Sequence, residues 1–429
     1  MLTHLVSSSR FSTKAATSKS FDVAVVGAGA IGCSIASFLL ELDSSLSVAI
    51  VERDPSYKIA SSVLSVGSIR QQFSVPVNVE ISQFGVDFIK NLSSDRNGDV
   101  QFDQGGYLFL AGKSGEDQLR ENVALQNRLG SEVNHLGGGE ELKRCYPWLN
   151  TDDIVESSLG ASGTEGWFDP YLLTHALKKK AIAKGATVIN GNVVSIAKDA
   201  KAIDIADVEG TRQVETLRCG SVVCAAGCWS QNILASVSGV SAAAAREWLP
   251  VYPRKRNVFV IHCPDPLLVD PPVPLVVDTS GAYFRREGRP ENGIFLAGGM
   301  EGVASEDLDC DGTAEELVNP DHEFFMDHIW PALAFRAPAF ENSKVKSSWS
   351  GFYDYNVFDQ NALLGQVLPS VDNFLVATGF SGHGIQQSPA VGRGIAEKVL
   401  YGEYRSLDLE VLGASRVQEG REVKEKNIV

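Results

Sequence analysis

The chain has 429 residues, 44% of them apolar and 21% charged, enough for two domains or one elaborated fold of ordinary globular composition. Against 38 basic side chains stand 53 acidic ones, a net charge of −15, which argues against a duplex nucleic-acid binder because phosphates reward a basic face. No apolar run is long enough for a membrane-crossing helix, and the seven cysteines are scattered without a CxxC pair, so neither a metal site nor a disulfide framework is expected.

In chain order, residues 1–20 differ from everything after them. They hold Arg10, Lys14 and Lys19, many Ser and Thr, and no acid, the composition of an organelle transit peptide. A mitochondrial address is the first choice and a plastid the second. A tail without function is the bland alternative. The stretch FDVAVVGAGAIG then reads as a buried strand over residues 21–26 and a helix over 31–42, with Gly27, Gly29 and Gly32 between them. A second strand over 46–51 ends in Glu52. This is the layout a dinucleotide needs: Gly27 for the tight turn, Gly29 for close approach of the pyrophosphate, Gly32 for helix packing, and Glu52 for a ribose diol. Nicotinamide and flavin both use it. The fingerprint sits at the start of the folded region and no second strand–GxGxxG–helix unit follows, which leans toward FAD.

Residues 76–100 and 114–130 read as helices around a strand at 107–112. The segment from Phe168 reads helix, strand, turn, strand, with Pro170 at a helix start and Gly185 suited to a C-terminal cap. Residues 220–230, GSVVCAAGCWS, are a buried strand running into small residues, a return to the nucleotide domain. Strands with turn signals fill 248–300, giving a mostly antiparallel second domain. A helix over 322–335 is interrupted by Pro331. The expected division assigns 21–85, 151–240 and 345–405 to the nucleotide domain and 86–150 and 241–344 to a substrate domain, with 406–429 as a mobile tail.

The segments VAVVGAGAIG, IVERD, SVGSIRQQFS, CAAGCWS and VATGFSGHGIQQSPAVGRGIAE occur in the order seen in the glycine/D-amino-acid oxidase family of flavoproteins, which the chain resembles over roughly residues 21–405. The resemblance implies an α/β fold: an FAD-binding Rossmann-type domain, of the kind shared with glutathione reductase, with an antiparallel α+β substrate domain inserted. It implies FAD contacts at Gly27, Gly29, Ala30, Ile31, Gly32, Glu52, Arg53, Ser61, Ser62, Val193, Ala226, Gly227, Trp229, Gly382, His383, Gly384, Ile385 and Gln386. The glycines of GFSGHG would let bare backbone approach the flavin ring, with the N-terminus of the next helix aimed at its pyrimidine side.

For the chemistry, the resemblance implies hydride transfer from an amino or N-methyl amino acid to flavin N5. Arg70 matches an arginine beside the flavin, and His383 would sit near the ring or brace the loop. Of Arg285 and Arg286, only one can face the site if they lie on a strand. Arg285 is favoured because it shares a face with Tyr283. Tyr353 and Tyr355 share another face, and either would line the pocket or simply pack. Arg254 and Lys255 read as solvated charge. The stretch SSVLSVGSIR holds no histidine and Gly351 stands where relatives carry a cysteine, so non-covalent FAD is expected. Gln386 replaces a lysine that holds a substrate carboxylate, and Phe295 falls near an oxygen-activating lysine, which together favour a dehydrogenase over an oxidase. The blocks AYFRREG and GFYDYNVFDQN resemble a mitochondrial branch of the family linked to respiratory complex I assembly. That branch implies complex I subunits as partners and, as an alternative to catalysis, an assembly factor with structural FAD. A nicotinamide-dependent dehydrogenase is the third reading.

Overall fold

The computed structural model describes residues 19–94, 99–161, 163–207, 214–265, 268–299 and 310–427. The segment read as a transit peptide lies outside the described residues up to residue 18.

Apolar runs of four or five residues, buried on both faces, make the centre of the first sheet. Its strands run Leu363–Gln366, Phe374–Thr378, Glu215–Cys224, Ser20–Val26, Val48–Glu52 and Thr187–Asn190 in spatial order, all parallel except the first. Val25 and Ile50, adjacent in register, are both fully buried. Such strands need cover on both sides. Helices Ala30–Leu42, Pro170–Ala183 and Gly384–Tyr401 cover one face, where Ile35, Leu39, Leu173, Val391 and Ile395 share one apolar core. Strands Asn192–Ile196 and Ala202–Ala206 and the helix Ser230–Ala235 cover the other.

A second sheet of eight strands stands beside it, in the order Lys344–Asn356, Val251–His262, Ile294–Gly299, Ala282–Arg286, Leu275–Val277, Tyr107–Ala111, Glu156–Gly160 and Val133–His135. All pairs are antiparallel except Leu275–Val277 with Tyr107–Ala111. The longest pair, 251–262 with 344–356, sets Arg254 opposite Tyr353 and Arg256 opposite Gly351. Alternation along these strands therefore turns Arg254, Arg256, Tyr353 and Tyr355 to one face.

Four expectations are corrected. Strands Glu156–Gly160 and Lys344–Asn356 belong to the second sheet although residues 156–160 and 345–356 are expected in the nucleotide domain; short or alternating strands carry no mark of which sheet they join. The helix that was to be cut at residue 85 is one unit, Pro76–Ser93, and Val77, Ile81, Val86 and Ile89 pack into the nucleotide-side core. At Gly85 an added Cβ would lie 2.7 Å from the Gln386 carbonyl oxygen, which shows how closely this helix abuts Gly384–Tyr401. The tail is not loose. Arg416 and Asp359 are fully buried and doubly hydrogen-bonded at 2.7 and 2.9 Å, and Glu425 is 0% exposed. Its charges read as a solvated tail because their partners, Asp359 and the 74–78 turn, lie far away in sequence. At Pro331 the helix runs on but changes form: one π-helical turn, Phe325–Ile329, immediately precedes Trp330–Arg336, and this local widening lets the chain continue past a residue that lacks an N–H.

Candidate functional site

A long cavity runs from the C-terminal ends of the parallel strands to the face of the second sheet. At its first end the strand Ser20–Val26 stops and the chain turns at Gly27, whose φ is +105°. A Cβ there would meet the Ala225 carbonyl oxygen at 2.4 Å, so only glycine fits. Gly32 is as tightly set, 1.9 Å from a Gly27 oxygen by the same construction. Glu52, at the end of the next strand, accepts from the Ala28 N–H at 2.7 Å and the Asp54 N–H at 2.8 Å. Its carboxylate is thus fixed beside the glycine turn. Ser62 Oγ accepts from Ala30 N–H at 3.0 Å at the start of the first helix. The Arg53 guanidinium lies 4.0 Å over the Trp229 ring, and Trp229 Nε1 donates to the Gly312 carbonyl.

At the other end the strand Phe374–Thr378 delivers the turn 379–384. Gly379 and Gly382 have φ of +75° and +99°, and a Cβ on Gly382 would lie 2.5 Å from Tyr353 Cε2. The turn is tied from below by Asp354, whose carboxylate accepts from Gly379 N–H at 2.8 Å and Phe380 N–H at 3.1 Å. Burial pushes that carboxyl up to about 6, against the pull of these two donors. Ser381 Oγ accepts from Asn356 N–H at 3.0 Å. His383 begins the helix Gly384–Tyr401. Its Nε2 lies 3.3 Å from an Arg70 Nη, its ring stands edge-on to Phe73, and burial, with the Arg70 charge, holds it well below the usual histidine range. It is therefore a neutral imidazole at physiological pH.

Arg70 is 2% exposed. Its guanidinium sits 4.0 Å over Phe73 and 5.2 Å over Phe109, and donates to the carbonyls of Gln72 and Asn427. Burial lowers its pKa below the ordinary arginine value. Gln386 accepts from the Arg70 backbone N–H at 2.9 Å. Behind Arg70, the buried Glu165 takes hydrogen bonds from Gln71 N–H and Gln72 Nε2 at 2.6 and 2.8 Å, and burial pushes it up to about 7. Arg256 lies 5.3 Å over the Tyr353 ring, and Tyr107 and Tyr283 line the same cavity, Tyr107 6.0 Å from the Arg70 guanidinium.

Of the residues singled out in the sequence, Gly27, Gly29, Ile31, Glu52, Arg53, Ser61, Ser62, Arg70, Val193, Ala226, Gly227, Trp229, Tyr283, Tyr353 and the run 382–386 line this cavity. Three do not. Ala30 and Gly32 turn into helix packing, touching Ser62 and Gly27. Arg285 shares the face of Tyr283 as expected, but the small ribbon of Ser68–Ile69 with Gly166–Trp167 covers it. Its guanidinium donates to the carbonyls of Val66 at 2.6 Å and Arg286 at 2.9 Å, pairs with Glu287 and lies 5.6 Å from the Trp167 ring. It is a brace outside the cavity. Arg256 lines the cavity and was missed, although its alternation with Arg254, two residues along the same strand, was open to be read. Asp354 was missed as well, because the tyrosines on either side of it drew the reading to their own face.

The donor set fits a flavin dinucleotide. The cavity is long, begins at a glycine turn with a fixed carboxylate and ends at bare backbone before a helix N-terminus. One Arg53 guanidinium nitrogen and His383 Nδ1 are buried without a hydrogen-bond partner among the described residues. The family model for FAD dependent oxidoreductase matches residues 22–398, so the chain belongs to that family and is an FAD-dependent oxidoreductase. It is 39% identical over 436 residues to FAD-dependent oxidoreductase domain-containing protein 1 of Xenopus laevis, covering 95% of this chain and 85% of that one. The fold is similar to those of L-proline dehydrogenase from P.horikoshii (TM-score 0.76, 24% identity, 94% of this chain and 100% of that one) and glycine oxidase from Geobacillus kaustophilus (TM-score 0.71, 23% identity, 93% and 99%).

Proposed function

We propose that this protein is a flavin dehydrogenase that removes hydride from the carbon beside nitrogen in an amino or N-methyl amino acid. The observation that carries this reading is the second-sheet side of the cavity next to the glycine turn: one arginine, Arg256, among Tyr107, Tyr283 and Tyr353, beside backbone that can approach a flat ring. Bound FAD supplies the hydride acceptor at N5 of its ring. The chain does the rest. Arg256 offers a charged fork for the substrate carboxylate. The three tyrosines exclude water and confine the amine, and burial keeps all three phenols protonated, Tyr353 included. The breaking C–H bond must point at the ring, and two-sided confinement is what fixes it there. Arg256 takes the role first expected of Arg285.

FAD is held without a covalent bond in this reading: among the described residues no cysteine lines the cavity, and the one histidine there, His383, faces Arg70. A dehydrogenase is favoured over an oxidase because position 386 carries a neutral glutamine bonded to main chain and position 295 a buried phenylalanine. The N-terminal composition supports a mitochondrial address, with a plastid as the alternative. A second reading, an assembly factor for respiratory complex I in which FAD is structural, draws on the same neutral Gln386, which leaves the substrate side with one cation fewer than a lysine there would provide.

The experiment is the visible spectrum of the purified FAD-loaded chain, recorded anaerobically during addition of a panel of amino and N-methyl amino acids. Bleaching of the flavin band by one compound is expected and gives the substrate class. A flavin reduced by dithionite but by none of the panel would overturn catalysis on this class and leave the assembly reading.

A further inference from the structure

We infer that the C-terminal segment 423–427 is a strap that positions the Arg70 charge at the cavity wall, with Glu425 as the positioning residue and the Asn427 carbonyl as the group that acts on Arg70. This rests on the placement of Arg70 beside the flavin. Glu425 is 0% exposed. One of its oxygens accepts from Ser74 N–H at 2.8 Å, Ser74 Oγ at 2.6 Å and Asn427 N–H at 2.9 Å; the other accepts from Asn78 Nδ2 at 3.0 Å and Val75 N–H at 3.2 Å. Lys426 N–H adds a bond to Ser74 Oγ at 2.8 Å. The carboxylate thus sits at the N-terminal end of the 18-residue helix Pro76–Ser93, where the helix dipole favours an anion, and it orients Asn427 directly. Asn427 then reaches Arg70 through its carbonyl and Gln72 through Nδ2, at 2.7 Å from the Gln72 oxygen.

The strap is fastened upstream as well. Val423 donates to Asp359 at 2.9 Å and accepts from Asn361 Nδ2 at 3.1 Å. Asp359 also receives Asn356 Nδ2 at 2.8 Å, and Asn356 N–H reaches Ser381 in the glycine turn. The strap and the turn that faces the ring therefore share one hydrogen-bonded frame.

Its role goes beyond filling a groove, and the other buried arginines show why. Arg336 is held by Asp278 and Asp153, and Arg416 by Asp359, so their charges are cancelled where they are fixed. Arg70 is held by two neutral carbonyls, of Gln72 and Asn427, with the neutral His383 beside it; among the described residues no carboxylate bonds its guanidinium, and Glu425 and Glu165 act on it only as nearby charges. Carbonyls orient a guanidinium without cancelling its charge, which stays directed at the cavity. A fixed positive charge there favours electrons on the bound flavin.

The test measures the midpoint potential of the FAD-loaded full chain by equilibration with reference dyes, together with hydrogen exchange at the Ser74 and Val75 amides. Glu425→Ala, and a chain ending at Lys424, should keep FAD, exchange those amides about tenfold faster or more, and shift the potential to more negative values as Arg70 is released, against the positive shift that loss of the Glu425 charge alone would give. Glu425→Gln should fall between them and the parent, since one acceptor oxygen survives. Freed amides with an unmoved potential would overturn the strap's action on Arg70; amides still protected in Glu425→Ala would overturn Glu425 as its anchor. Should the shortened chain lose FAD, Glu425→Gln decides on the same criteria. Arg70→Met run in parallel separates the two levels. An unmoved potential there contradicts the placement of Arg70 itself, whereas a shift there and none in Glu425→Ala contradicts only the strap.

Discussion

At one end of the cavity the glycine turn, the helix start and the carboxylate come from one stretch, residues 27–52. At the other end, Arg70, Tyr107, Arg256, Tyr283, Tyr353 and His383 come from separate segments spread over both sheets. The first is fixed by backbone: positive φ, a carbonyl 2.4 Å from where a side chain would begin, and N–H groups aimed at a carboxylate. The second is fixed by buried charge and aromatic stacking, with Arg70 over Phe73 and Arg256 over Tyr353. The difference teaches where each kind of damage should appear. Harm to the first end should remove the cofactor, and harm to the second should leave it bound and impair what it does.

The largest effect is expected from Gly27→Ala. The added methyl must sit at φ +105° against the Ala225 carbonyl, a strain of several kcal/mol by order of magnitude. The protein should be purified nearly colourless and melt roughly 5 °C or more lower; a normal ratio of flavin to protein absorbance would show that the turn can relax.

A second test addresses buried charge at the other end. Glu165 keeps its proton up to about pH 7, above the ordinary carboxyl value of 4.5, so the folded state binds more protons than the unfolded chain between those limits. Its contribution to stability is therefore full below about pH 4.5 and declines as pH rises to 7, by roughly 3 kcal/mol. Glu165→Gln removes this slope. From pH 5 to 7 the unfolding free energy of Glu165→Gln should rise relative to the parent's by up to about 3 kcal/mol and then hold a constant offset to pH 8; parallel curves over the whole range would contradict the burial argument.

Arg285→Met should give the smallest effect on chemistry. It breaks hydrogen bonds to Val66 and Arg286 and a pair with Glu287, a loss of about 2 kcal/mol in stability. Because the 68–69 and 166–167 ribbon covers this side chain, the concentration of substrate needed to bleach the flavin should not change. A large rise in that concentration would return Arg285 to the site.

What could be read from the sequence follows the same division. The fingerprint, the acid and their strands were legible because the turn geometry is local and each glycine answers to its own steric demand. The bare backbone of GFSGHG was legible for the same reason, although what holds it, Asp354, was not. Position 354 looks like any polar residue between tyrosines until the strand Lys344–Asn356 is laid under the turn. Arg285 and Arg256 show the limit most clearly. Both lie on strands, both follow the alternation rule, and only the neighbouring ribbon decides that one is covered and the other faces the cavity. The strap was not legible because a charged C-terminal stretch has no periodicity, and its partners stand far away in the chain: Glu425 bonds Ser74, 351 positions earlier.

The most direct measurement of the central claim, that the two ends have separate duties, is FAD content and anaerobic bleaching measured side by side in Arg256→Met. The account predicts full FAD content and a need for about 10- to 100-fold more of the bleaching amino acid, the worth of one charged hydrogen-bonded fork. Loss of FAD, or bleaching at the parent's concentration, would contradict it.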